Sequence, residues 1–330
     1  MNLLIISYNP ARPSFRQRIS CCLDILHANG INCEVVHYPR DSLSRYRVIR
    51  RAAEFDAVYL QKKTLNVLDA MWFRRYAKNI IFDFDDAVMY DNKYPENKPS
   101  RRKHTKPFER TVKLAKMVIA GNSYLAEHAR RFNSNVEILP TGLDTSSYRL
   151  KAAPKDDGKV RLVWIGSHST LGYLEQIKPA LEELGSRFDN VVLRIICDEF
   201  IHIRNIPIEK CVWSEQTQIR DLVTSDIGLA PLPDNRFTRG KCGFKILQYS
   251  AASLPVIASP VGVNVDYVKE GVNGFLAEGR SDWIEKITRL LKEPGLRKEM
   301  GAAGSKEVQQ FDFKVLGEEL VKLIKRCIEN

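Results

Sequence analysis

Along this chain, short apolar runs alternate with longer stretches in which apolar residues recur at every third or fourth position. In the first half the runs are Leu3–Ser7, Cys33–His37, Ala57–Leu60, Ile80–Asp83, Met117–Ala120 and Val136–Leu139, and each reads as a strand. Helical spacing fills the gaps at Ser14–Asn29, Ser42–Ala53, Leu65–Lys78, Ser100–Ala115 and Asn122–Phe132, and Asn29-Gly30 supplies a helix stop. Strands alternating with helices predict βαβ units and a parallel sheet, an α/β fold.

The alternation pauses at the polar stretch Ala152-Ala-Pro-Lys-Asp-Asp-Gly158, which reads as a linker over 152–158. It then restarts, with strands expected at Val160–Ile165, Val191–Cys197, Lys210–Trp213, Ile227–Ala230, Pro255–Ala258 and Gly274–Leu276. Helices are expected near Tyr173–Arg187, Thr217–Thr224, Gly243–Ala252, Trp283–Lys292 and Leu296–Gln310. Two similar sheets thus follow one another. A last amphipathic helix, Phe313–Ile328, comes after Asp312, which reads as its N-cap.

Composition changes this picture little. At 330 residues, 44% hydrophobic and 28% charged, the chain has material for two domains with full cores and no sign of disorder. Met1-Asn-Leu-Leu-Ile-Ile-Ser7 is too short for a signal segment and no run is long enough to span a bilayer, so the expected location is the cytoplasm. Seven cysteines without a CxxC spacing argue against structural zinc and against a disulfide framework, and read as small core or near-core residues.

Charge changes it more. Of the net +11, residues 1–150 hold +10 and residues 151–330 only +1. The excess clusters in Arg40–Arg51, Arg74–Lys78 and Arg101–Lys116. Either solubility or an anionic membrane surface accounts for it. Nucleic acid is disfavoured, because aromatic stacking platforms are not interleaved with the charges.

The densest candidate chemistry lies in Arg239–Ser259, a cationic turn, an amphipathic helix and a buried strand. Gly240 and Gly243 permit a tight turn and a close backbone approach, and the helix start offers free N–H groups and a positive dipole end to an anion. Lys241, Lys245 and Gln248 fall at helical spacing on one face, with Phe244, Leu247 and Ala251 on another. The opposing possibility, a merely solvated lysine pair, is weakened by Leu254-Pro-Val-Ile-Ala258, a strand that sets the helix start beside the carboxyl edge of a sheet.

Three further stretches carry polar chemistry. Trp164-Ile-Gly-Ser-His-Ser-Thr170 is a strand running into a phosphate-friendly turn, with Ser169 or Thr170 as the competing N-cap reading; it is neither a GxGxxG nor a Walker loop. Asp83, Asp85 and Asp86 sit at the end of a buried strand, where they suit a general base, a metal-binding phosphatase start, or structural pairing with Arg74 and Arg75. Arg16 and Arg18 either line a cleft toward an acidic ligand or are solvated. The six histidines form no metal spacing, and only His168 falls in a candidate site.

With these pieces placed, the whole chain resembles a family 4 retaining glycosyltransferase of the GT-B fold. The resemblance rests on Arg239–Ser259, continued by Pro260-Val-Gly-Val-Asn264 and Glu270-Gly-Val-Asn-Gly-Phe-Leu276. Ile165-Gly-Ser167, Trp213-Ser-Glu215, Asp226–Leu232, Gly121-Asn-Ser-Tyr-Leu125 and Pro140-Thr-Gly142 support it. It implies two Rossmann-like domains with parallel sheets facing across a cleft: 1–151 for the acceptor, the 152–158 linker, 159–310 for the nucleotide sugar, and a helix at 311–330 packing back toward the first domain. Where the family carries Glu, seven residues, Glu, this chain has Gly240 and Gln248. Its Gly-Lys-Cys-x-x-Lys-x-x-Gln-Tyr is similar to a bacterial subgroup in which the lysines hold the diphosphate.

The resemblance assigns Lys241 and Lys245 to the leaving diphosphate, with Asp85, and Asp86 beside it, in the place of the family's acceptor-facing residue. Arg16, Gly166, Ser167, His168, Arg239, Gly243, Phe244 and Gln248 become substrate contacts, and Trp213 and Glu215 fall near the base. The implied reaction is transfer of a sugar from a nucleotide-diphospho-sugar to a glycan or lipid-linked acceptor. It proceeds with retention and without metal or cofactor, in cell-surface polysaccharide synthesis such as that of lipopolysaccharide, at the inner face of the plasma membrane. Two rivals stay open: a non-catalytic scaffold on this fold, and a sugar-nucleotide epimerase.

Overall fold

The computed structural model describes residues 1–9, 13–92, 97–149 and 157–329. The chain begins with β1 (Asn2–Ser7), α1 (Pro13–Arg18), α2 (Leu23–Ala28), β2 (Asn32–His37), α3 (Ser42–Arg50) and β3 (Ala57–Gln61). It continues with α4 (Val67–Tyr76), β4 (Ile80–Phe84), α5 (Lys106–Leu114), β5 (Met117–Ala120), α6 (Ser123–Arg130) and β6 (Val136–Ile138). The second series is β7 (Val160–Ile165), α7 (His168–Glu175), α8 (Lys178–Arg187), β8 (Val191–Cys197), β9 (Ile208–Val212), α9 (Gln218–Val223) and β10 (Ile227–Ala230). After it come α10 (Phe244–Ala251), β11 (Val256–Ala258), α11 (Asn264–Tyr267), β12 (Gly274–Leu276), α12 (Gly279–Lys292), α13 (Pro294–Glu307) and α14 (Phe313–Glu329).

These elements form two compact units. Unit 1 comprises Met1–Gly142, Asn235–Cys242 and Phe313–Asn330; unit 2 comprises Leu143–Asp234 and Gly243–Asp312. Residues 235–242, inside the span read as the nucleotide-sugar domain, therefore pack into unit 1. The linker read at 152–158 lies outside the described residues except for Asp157 and Gly158.

Unit 1 is built on a parallel sheet in the order β2-β1-β3-β4-β5-β6, unit 2 on one in the order β12-β11-β10-β7-β8-β9. Fold class is as the residue pattern predicts, a doubly wound α/β arrangement in each unit. In unit 1, side chains of α3–α6 fill the core on one face of the sheet, while α1, α2 and α14 fill the other, so β3, β4 and β5 are fully buried. In unit 2, α8 and α12 cover one face, and α9 and α10 the other. The sheet order reverses direction between β1 and β3 in unit 1 and between β7 and β10 in unit 2, and doubly wound proteins bind ligands outside the carboxyl ends of strands at such points.

Helix ends follow local chemistry. Asp41, Asn66 and Asn122 each accept a backbone N–H at the start of α3, α4 and α6. Two predicted helices are broken. The helix expected over Ser14–Asn29 is interrupted where Ile19 leaves helical geometry (φ −125°, ψ −55°), while Phe15, Ile19, Cys22 and Leu26 stay buried. The one expected over Tyr173–Arg187 divides into α7 and α8, because Pro179 has no N–H to continue the ladder. Asp312, read as the N-cap of the last helix, accepts from Thr145 N (3.0 Å) and Oγ1 (2.5 Å). Among the described residues, no helix is long and apolar enough to cross a membrane.

Candidate active site

The chemistry-bearing residues collect at the carboxyl edges of the two sheets. In unit 1, Asp83 near the end of β4 is fully buried, and Arg18 Nε donates to both its oxygens (3.1 and 2.9 Å). The same guanidinium reaches Leu139 O at 3.0 Å. Burial opposes the charge on Arg18, and the Asp83 carboxylate overrides it and holds the guanidinium protonated. This pair is a structural lock, so Arg18 lines no cleft, and the partner expected from Arg74 or Arg75 is Arg18. Arg16, also on α1, is partly exposed.

Just beyond β4, Asp85 and Asp86 meet two lysines. Lys62 follows β3 in the left-handed backbone region (φ 59°), a conformation that costs a non-glycine residue of order 1 kcal/mol or more. Its ammonium lies 3.2 Å from Asp85 Oδ1 and donates to Asp86 Oδ2. Asp85 Oδ1 is buried and is held by this ion pair with Lys62. Lys241 Nζ donates to Asp86 Oδ1 at 3.0 Å and lies 4.7 Å from the Phe237 ring centre. Burial works against the charge on Asp86, but Lys241 and Lys62 hold its carboxyl well below the usual carboxylate range.

The segment carrying Lys241 is pinned inside unit 1. Asn122 Nδ2 donates to the carbonyls of Gly240 and Lys241, both at 3.1 Å, and Cys242 Sγ donates to Asp85 O at 3.2 Å. Burial pushes the Cys242 thiol up to about 12, so it stays a neutral donor. The glycines read as room for a ligand are filled by protein. A Cβ at Gly240 would stand 2.8 Å from Ala87 Cβ, and one at Gly243 would stand 2.8 Å from the Tyr267 ring.

Lys241 is not on the helix. Gly243 turns the chain (φ 63°) and α10 starts only at Phe244, so the shared helical face holds Lys245 and Gln248 alone. Nor is α10 amphipathic: Ile246 through Ala251 are all buried.

In unit 2, Lys245 on the first turn of α10 donates to Ile165 O at the end of β7, and its ammonium lies 4.6 Å from the Trp164 ring centre. Trp164 is fully buried and its Nε1 has no partner among the described residues. Gly166 makes this packing possible, since a Cβ there would run into Trp164 and come within 2.8 Å of Lys245 Nζ. Lys245, Gly166 and Ser167 thus meet at the β7/β10 reversal.

The neighbouring turn is ordered by its own hydroxyls. Ser167, rather than Ser169 or Thr170, is the N-cap of α7; its N–H donates to Thr170 Oγ1 at 3.3 Å, and its Oγ lies 2.9 Å from Ser169 Oγ. His168 is exposed. Asp198 takes its N–H and its Nδ1, both at 2.9 Å, and this hydrogen bond holds the imidazole above its ordinary range.

Gln248 faces inward. Its Nε2 donates to Tyr148 OH and Gln218 Oε1, each at 3.3 Å, and Gln218 Oε1 also accepts from Trp213 Nε1 at 3.2 Å. Trp213 and Gln248 are therefore joined through Gln218. Phe244 is half-buried, and Glu215 and Arg239 are exposed. Lys62, Asp198 and Gln218 escaped the sequence reading. Lys62 had one available signal, a lysine directly after a buried strand, the position Asp85 takes after β4. Among the described residues no group of three or more His, Cys, Asp or Glu side chains is placed to hold a metal ion.

Residues 216–307, which span α9 to α13 and include both lysines, match the family described as Glycosyl transferases group 1. The chain is a glycosyltransferase. The fold of this transferase is that of GT-B enzymes. It is similar to HepE of Anabaena, solved in complex with UDP (15% identity, 99% of this chain and 100% of that one, TM-score 0.73). It is similar also to WaaG, a glycosyltransferase involved in lipopolysaccharide biosynthesis (15%, 98% and 99%, 0.72). A third likeness is to sucrose-phosphate synthase of Thermosynechococcus elongatus (12%, 98% and 98%, 0.71). At these identities the likeness is one of fold. No curated protein matches the transferase in sequence.

Proposed function

We propose that this transferase moves a sugar from a nucleotide-diphospho-sugar to a glycan or lipid-linked acceptor, with retention and without a metal, in cell-surface polysaccharide synthesis. The observation that carries the reading is the seat of Lys245, a cation at the carboxyl end of β7, beside Gly166 and the N-terminus of α7. A cation and a helix dipole at one sheet reversal form a receptor for a diphosphate. As the anomeric C–O bond to the diphosphate breaks, the electron pair leaves with phosphate. Lys245 and the positive end of the α7 dipole stabilise that charge, while the new bond forms to an acceptor hydroxyl oxygen whose proton passes to the departing phosphate. His168, held charged more readily by Asp198, adds to that field. Trp213 and Gln248, joined through Gln218, serve the nucleoside side of the donor, and Asp85 and Asp86 the acceptor. HepE has been solved with UDP-glucose, which makes UDP-glucose the first donor to try.

The test is isothermal titration against UDP-, GDP-, ADP- and TDP-sugars, with turnover measured for wild type and Lys245→Ala. One donor should bind, and Lys245→Ala should lower its turnover about 10²–10³-fold with the fold intact, the scale of losing one contact to developing charge. Activity within threefold of wild type would remove Lys245 from the mechanism.

A further inference from the structure

Three neighbouring strands of unit 1 bring two rings and a cation together at the carboxyl edge of its sheet. In the order β2-β1-β3, the residues just past the strands are Tyr38, Tyr8 and the pair Lys62-Lys63. Lys62, in the left-handed backbone region, pairs with Asp85 and Asp86, whereas Lys63 meets the rings. Its ammonium lies 4.9 Å from the Tyr38 ring centre and 5.5 Å from that of Tyr8. Lys63 is half-buried, and among the described residues it makes no hydrogen bond or ion pair.

The carboxylate that Lys63 senses is engaged elsewhere. Asp69 on α4 is buried, and it accepts from Tyr38 OH, from Arg45 Nε at 3.1 Å and from Asn66 Nδ2 at 2.7 Å. Two cations, Lys63 and Arg45, against this one carboxylate leave the cluster a positive charge in excess. Burial disfavours the Lys63 ammonium, Asp69 offsets this only in part and Arg45 adds to it, so Lys63 titrates below the ordinary lysine range. A half-buried cation without a protein anion is a seat that a ligand anion stabilises.

The ring beside it says what else the ligand carries. Tyr8 is 51% exposed, and it is the one aromatic ring among the exposed large hydrophobics of the described residues. An open ring at a ligand edge packs against the C–H face of a sugar, and a cation next to it takes a charged substituent. We propose that Tyr8 and Lys63 form an acceptor subsite for a sugar bearing an anionic group, a carboxylate or a phosphate, with the ring on the sugar and the ammonium on the acid. This deepens the reading that places the acceptor at Asp85 and Asp86, on the same edge, and rests on it. The subsite lies in unit 1, whereas Lys245, given to the donor diphosphate, lies in unit 2.

The test is isothermal titration, without nucleotide, of methyl glucosides and galactosides in neutral, uronate and phosphate forms. At least one anionic form should bind about tenfold or more tightly than its neutral parent, and Lys63→Gln should bring it down to the parent's affinity. Lys63→Arg, which keeps the charge, should retain most of the binding. Tyr8→Ala should weaken neutral and anionic forms alike, about three- to tenfold. Unchanged thermal melts check folding. Preference for the uronate alone or for the phosphate alone supports the subsite and names its anion. Equal affinity for charged and neutral forms, or a preference untouched by Lys63→Gln, overturns it. So does a preference abolished by Lys245→Ala, which would put the anion in the donor's seat. Octyl phosphate bound through Lys63 when neither anionic sugar binds overturns it too, because the charge then belongs to a lipid linker. Turnover of the UDP-, GDP-, ADP- and TDP-sugar panel separates the two readings. Anionic sugar bound through Lys63 without any turnover sinks the transfer reaction and leaves the subsite standing; turnover onto neutral acceptors with no anionic preference sinks the subsite alone.

Discussion

The carboxyl edges of the two sheets use cations differently. In unit 1, Arg18, Lys62 and Lys241 are each paired with a carboxylate: Arg18 with Asp83, Lys62 with Asp85 and Asp86, Lys241 with Asp86. In unit 2, Lys245 donates to the Ile165 carbonyl and lies over the Trp164 ring. Charges that cancel in pairs stabilise a shape and hold carboxylates ionised. Two lysines four residues apart, alike in sequence, thus have different partners, the Asp86 carboxylate for Lys241 and a carbonyl and a ring for Lys245.

The largest expected effect tests the paired side. Arg18→Met should leave Asp83 buried and uncompensated and lower stability by about 3–5 kcal/mol in urea unfolding. A loss below about 1 kcal/mol would mean that the Asp83 side chain does not need Arg18. Next in size is the contrast between the lysines. Lys245→Ala should cost more turnover than Lys241→Ala, while Lys241→Ala should cost more stability, because Asp86 then loses one of its two cations. The reverse ranking would break the comparison.

The smallest effect is on pH. Because the folded state holds Asp86 below its ordinary range, its ionisation stabilises the fold above the unfolded carboxylate pKa of about 4. That contribution is lost as pH falls below about 4 toward the folded value. Asp86→Asn should therefore flatten the acid limb of a stability-versus-pH curve, and an unchanged limb would show that Lys62 and Lys241 do not perturb Asp86.

Much of the site was legible and some was not. Asp85, Asp86, Lys245 and Gly166-Ser167 were readable because each sits next to an apolar run, and the end of a buried strand is a place any parallel sheet exposes. Lys241 was placed on a helix face because spacing counts residues and does not register that Gly243 turns the chain. Gln248 looked exposed because the rest of α10 seemed to have a polar side, whereas packing buries Ile246 through Ala251 alike. Lys62 and Asp198 each meet their partners across at least 23 residues of sequence, a distance over which no local pattern reports contact.

By itself the sequence determined the alternation of strands and helices, the two parallel sheets and the excess of positive charge in the first half. These depend on local periodicity and composition, which act within a few residues of each position. Only the tertiary structure decided which cations are neutralised. Ion pairing depends on through-space distance, and the sheet order brings β1, β3 and β4 together from remote parts of the chain. The same folding carried residues 235–242 into unit 1 and left Lys245 in unit 2. The five residues Lys241–Lys245 were thereby divided between a lysine paired with a carboxylate and one seated at the end of β7.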